Sequence, residues 1–101
     1  GVKMIKRLLL AIHSALSKPA VEPSIKMERV FNYCRKVTYI DECGTVTGIV
    51  EDTPEFSKHG ILIWENEFNA TEERRKLLLV KLVAYLDSQN IKYTIFYGQS
   101  R

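Results

Sequence analysis

The 101-residue sequence predicts an α+β domain, with a mixed sheet of about four strands and two or three helices in the order α-(α)-β-β-β-α-β. Three observations carry this expectation. Apolar residues recur at three- and four-residue steps over 2–18 and again over 70–88, the period of an amphipathic helix. Between these segments lie β-branched and aromatic runs: Val37-Thr-Tyr-Ile40, Val46-Thr-Gly-Ile-Val50 and Ile61-Leu-Ile-Trp64. The chain closes on a further aromatic run, Ile91 to Tyr97.

Length and composition set the frame. With 46% hydrophobic residues, 101 residues suffice for one core and one domain, spanning 1–101. The net charge of +3 permits a polyanionic partner without requiring one. Cys34 and Cys43 lack CxxC spacing and the density of a disulfide scaffold, so reduced thiols in a cytoplasmic protein are expected. His13 and His59 add too few soft ligands for a structural zinc site.

Residues 1–18 form the first predicted helix, packed on or appended to the core, with Val2, Ile5, Leu8, Leu9, Ile12, Ala15 and Leu16 on its apolar side. Lys3, Lys6 and Arg7 share the other side, and the first acid in the chain is Glu22. Such a basic helix suits anionic lipid, nucleic acid or simple capping of the core. Its apolar run breaks at His13-Ser14, too short for a membrane span. Gly1-Val2-Lys3 ahead of Met4 is consistent with an expression scar.

Pro19 stops that helix, and Ser24 after Pro23 suits the N-cap of a second, short helix through about Cys34. Met27, Val30, Phe31 and Cys34 fall at helical spacing, although Ile25, Met27, Phe31 and Tyr33 also alternate tolerably as a strand. The runs 37–40 and 46–50 read as a hairpin across Asp41-Glu-Cys-Gly-Thr45, with Gly44 free to take positive φ. Ile61 to Trp64, unbroken and apolar, predicts a central strand covered on both faces. Asn69 with Glu72 forms a capping box for a long helix from about Ala70 to Ser88, closed by Asn90 in a left-handed conformation. Leu78, Leu79, Leu82, Val83, Tyr85 and Leu86 make its main stripe. Leu77, Val80 and Ala84 make a second apolar patch, expected to meet the first helix, a protein partner or a second copy in a homodimer.

Carboxylates flank the predicted central strand: Thr53-Pro54-Glu55-Phe56 before it and Glu65-Asn66-Glu67 after it. With the element order, these residues resemble the core of the PD-(D/E)XK nuclease superfamily, in particular the phage junction-resolving and TnsA-like mobile-element endonucleases, over about Glu22 to Tyr97. The resemblance implies a nucleic-acid-associated protein of phage or mobile-element type. If active, it would be a metal-dependent endonuclease with Mg²⁺ or Mn²⁺ held by Glu55 and Glu65 and assisted by Glu28. Glu55 stands where the family has Asp, and Glu67 where it has Lys. The family's chemistry would then require Lys58, Lys76 or Lys81 to supply the cation, or Asp52 to replace Glu55.

Strand alternation would put Glu65 and Glu67 on one side. The alternative is that the strand leaves the core at Trp64 and both acids are solvated. For nucleic-acid contact, the sequence offers Lys3, Lys6, Arg7, the Arg35-Lys36 pair, Arg74 and Arg75 as cations, and Tyr93, Phe96 and Tyr97 as stacking rings. A non-catalytic protein-binding module, an inhibitor or assembly factor, is the competing expectation.

Overall fold

The computed structural model describes residues 21–101. Strands β1 (Ser24–Phe31), β2 (Cys34–Asp41) and β3 (Gly44–Glu51) form an antiparallel meander. Strand β4 (Ile61–Trp64) adds antiparallel to β3. A single 3-10 turn, Glu65–Glu67, and helix α1 (Glu72–Ser88) then lead to β5 (Tyr93–Phe96), parallel to β4. The sheet order is β1-β2-β3-β4-β5, an α+β arrangement with five strands and one α-helix among the described residues.

The short helix expected over Ser24 to Cys34 is instead β1. Its apolar residues alternate, and the register sets Ile25 opposite Tyr39 and Met27 opposite Val37, so both half-buried side chains join the core face. Ladder pairing and burial outweigh the helix preference of Lys26-Met-Glu-Arg29. The first predicted helix lies outside the described residues.

One face of the sheet carries the core. Val37 and Tyr39 of β2, Val46 and Val50 of β3, and Ile61 and Ile63 of β4 pack with Phe68 and with Leu78, Leu79, Leu82 and Leu86 of α1. The expected cover on both faces of β4 is only partly met: Ile61 and Ile63 are buried, whereas Leu62 and Trp64 on the other face are half-buried. There Trp64 stacks on Phe96 of β5, centroids 5.5 Å apart.

The ends of α1 follow from local chemistry. Thr71, not Asn69, is the N-cap: its hydroxyl accepts from the backbone N–H of Arg74 at 3.2 Å. At the C-terminus Asn90 takes φ 59°, the Asn90 N–H donates to Asp87 O at 3.0 Å, and the Ile91 N–H donates to Leu86 O at 2.9 Å. This pair of bonds is a Schellman motif, and it turns the chain directly into β5.

Gly48 has no such conformational reason to be glycine. A Cβ there would stand 2.6 Å from the Phe68 ring, so the missing side chain is what lets Phe68 lie on the sheet. Cys34 opens β2 and Cys43 follows its end, about 25 Å away along the strand, so both thiols are free. No helix among the described residues is long and apolar enough to cross a membrane.

Candidate functional site

The acids after β4 leave the strand as soon as it ends. Glu65–Glu67 forms the 3-10 turn, so the same-side relation expected from strand alternation does not apply. The C-terminal segment binds both instead. The Gly98 N–H donates to Glu65 Oε1 at 2.7 Å, the Asn66 N–H donates to Gln99 O at 3.0 Å, and the Arg101 N–H donates to Glu67 Oε2 at 3.2 Å. The Arg101 guanidinium reaches Glu51 Oε2 at 2.9 Å.

The other expected ligands lie elsewhere. Glu55 is exposed in the loop before Ile61, so the length of β4, about 13 Å, separates it from Glu65. Glu28 sits on strand β1 rather than on a helix, 3.6 Å from Lys26 Nζ, with β2 and β3 between it and β4. Asp52 accepts from Arg35 at 3.1 Å and pairs with Arg29 at 3.4 Å, which uses its charge locally. Lys76 faces Glu72 at 3.9 Å, while Lys58 and Lys81 are exposed.

Pairing of Glu51 with Leu62 fixes the β3 and β4 register. After Trp64 the chain turns out of the ladder, and the Phe68 ring fills the space that a side chain at position 48 of β3 would use. Among the described residues, no three His, Cys, Asp or Glu side chains gather to hold a metal ion. Mg²⁺ and Mn²⁺ take several oxygen ligands at close range, whereas Glu28, Glu55 and Glu65 stand apart on β1, in the loop before β4 and in the turn after it.

Comparison with protein-family models, curated proteins and solved structures gives no match. What the chain offers to chemistry or to partners has to come from its own surface.

The best-connected polar cluster is one the sequence did not single out. Arg74 donates to Asp41 through Nε at 3.0 Å and NH2 at 2.7 Å, and its NH2 also reaches Gly44 O at 3.2 Å. Asp41 Oδ1 accepts in addition from the Cys43 N–H at 2.9 Å, closing the β2–β3 turn. The hydrogen bond from Arg74 holds the Asp41 carboxyl below the usual carboxylate range. Burial pushes the Tyr39 phenol up, and the negative charge of Asp41 adds to that. This cluster borders a cavity of about 510 Å³ lined also by Val21, Leu77 and Lys76. The signal for it was present in Asp41-Glu-Cys-Gly44, a turn whose first acid could accept both a backbone N–H and a distant guanidinium.

The expected nucleic-acid cations fare unequally. Arg74 is committed to Asp41, and Arg75 NH1 donates to Ala70 O at 2.8 Å with its Nε buried and unpartnered. Lys3, Lys6 and Arg7 lie outside the described residues. Of the three rings expected to stack bases, Tyr93 borders the core, Phe96 stacks on Trp64 and Tyr97 is exposed.

The second apolar patch of α1 is open. Leu77 is 56% exposed and Val80 66%, and Ala84 is exposed as well. Val80, Val83 and Ala84 line a groove of about 600 Å³ with Ile95 and Tyr97 on the β5 side and Glu65 and Asp87 as its acids. A helix face of this kind in the middle of a helix is a contact surface in search of cover.

Proposed function

We infer that the chain is a nucleic-acid-associated binding domain with a nuclease-like core that does not cleave. The observation that carries the non-catalytic half of this reading is the packing of Phe68 against Gly48. The ring occupies the space over β3 that a side chain at position 48 would use, beside the turn that carries Glu65 and Glu67. The strand-strand-strand-helix-strand succession from β2 to β5 supports the nuclease-like half, because the meander delivers β4 to the sheet and α1 returns the chain to a parallel β5. Phage or mobile-element origin follows from the same resemblance and belongs to this proposal.

The test is incubation of the full chain with plasmid, single-stranded and branched DNA in Mn²⁺. Binding without cleavage is the expected result. Cleavage lost in Glu65→Ala would overturn the non-catalytic reading and restore Glu65 as a metal ligand.

A second reading rests on a different observation, the exposure of Leu77 and Val80 beside the 600 Å³ groove. On this reading α1 takes a protein partner or a second copy of the chain, and the domain acts as an inhibitor or assembly factor. Mass in solution distinguishes them: a concentration-dependent dimer dispersed by Val80→Asp supports the second reading, and a monomer that binds DNA in a salt-sensitive way supports the first.

A further inference from the structure

The end of the sheet opposite the Glu65–Glu67 turn presents three exposed aromatic rings. Phe31 ends β1 and Tyr33 sits in the β1–β2 turn, each 62% exposed, and Phe56 lies in the loop between β3 and β4 at 90% exposure. The two loops are tied together, since the Asp52 N–H donates to Tyr33 O at 2.7 Å. Phe56 is held outward by its own turn, in which the Ser57 N–H donates to Pro54 O at 2.8 Å.

Tyr33 takes φ 60° in this turn, beside a register shift between Arg29 and Phe31. Glycine or asparagine adopts that left-handed conformation with less strain, so the turn itself gives no reason for a tyrosine. The ring also lies outside the buried core. Its exposure together with its strained backbone marks it as a side chain kept for contact.

The charges around the rings point to the kind of contact. Arg29 and Arg35 converge on the single carboxylate of Asp52, which leaves one positive charge there, and the Arg29 side chain is 60% exposed. Lys58, exposed two residues after Phe56, offsets Glu55, the acid next to that ring. Exposed rings on loops that also carry a guanidinium and an ammonium group suit unpaired bases stacked along a phosphate backbone.

We propose that Phe31, Tyr33 and Phe56, with Arg29 and Lys58, form a stacking site for single-stranded nucleic acid. The proposal rests on the reading of the chain as nucleic-acid-associated and adds the surface and the strand state. The rings supply sequence-tolerant stacking, and the cations supply the salt-dependent part of the affinity.

Fluorescence anisotropy of the full chain with labelled oligothymidylate and with a duplex of equal length tests it. The expected result is preference for the single strand, with a five- to hundredfold weaker Kd on Phe56→Ala or Tyr33→Gly, on the order of one lost stacking contact. Tyr33→Gly relieves the turn, so its thermal midpoint should hold or rise while binding falls, which a merely structural role would not produce. Glu55→Gln should tighten binding, and Arg29→Gln should lower the salt slope by about 1. Binding that survives both aromatic substitutions, or that prefers the duplex, overturns the site and leaves the nucleic-acid reading standing. Absence of binding to every nucleic acid overturns both.

Discussion

Phe68 lies with its ring against the backbone of Gly48, closer than any side chain at position 48 would allow. This relationship seats Phe68, the residue that follows the 3-10 turn, on β3. Phe68→Ala should therefore destabilise the fold by about 3–5 kcal/mol, the range for emptying a buried aromatic site, read from the urea midpoint. Gly48→Asp should be worse than neutral, since the new carboxylate meets the ring, and should confer no Mn²⁺-dependent cleavage. A well-folded Gly48→Asp protein that cuts plasmid would show that the site can be rebuilt.

Asp41 and Arg74 join the β2–β3 turn to the first turn of α1 through two hydrogen bonds. The Asp41 carboxyl is lowered from its ordinary 3.8, so its contribution is present above that value and is lost as pH falls through the lower folded pKa. Asp41→Asn should lower the thermal midpoint clearly at pH 7. The gap between variant and wild type should narrow as the pH is taken below about 4, measured by circular dichroism melts. An unchanged gap across that window would mean the pair contributes by shape rather than by charge.

Val80 is two-thirds exposed on the open face of α1, so replacing it changes little inside the folded monomer. Val80→Asp should alter stability by no more than about 0.5 kcal/mol. It should nonetheless disperse any dimer seen by sedimentation at high concentration. A dimer that persists would move the interface elsewhere.

Arg101 pairs with Glu51 at 2.9 Å, with both side chains about one-third exposed. Exposed pairs of this kind are worth roughly 0–1 kcal/mol, so Arg101→Ala should cost little globally. Its effect should be local, as faster amide exchange at Asn66 and Phe68, whose turn the C-terminal segment holds. Protection equal to wild type at those amides would show that Gly98 and Gln99 suffice.

The sequence made the middle of the fold readable wherever one physical cause dominated. Val37 to Val50 announced a hairpin through β-branched runs around Gly44, and Leu78 to Leu86 announced α1 through period alone. Asn90 also took its expected left-handed form. Ser24 to Phe31 went the other way because its sparse apolar residues fit either period, and the partner strand that decides the matter is fixed only in three dimensions. The cap moved from Asn69 to Thr71 for a similar reason, as both residues are competent and the buried Phe68 sets where the chain can enter the helix. Of the candidate site, sequence gave the acids but not their separation. Glu55 and Glu65 look adjacent on paper only because the strand between them is short in residues, and the partners of Asp52 and Glu65 come from Arg35 and Gly98, distant in the chain.

The parallel pairing of β4 with β5 has a consequence in time. β1, β2 and β3 are joined by tight turns and can zip together from neighbouring residues, whereas Ile61 meets Tyr93 only after the whole of α1 has been laid down. Trp64, the single tryptophan of the chain, sits on that late seam against Phe96. Its fluorescence therefore reports on the closure of that long-range seam, the pairing with the greatest sequence separation in the sheet.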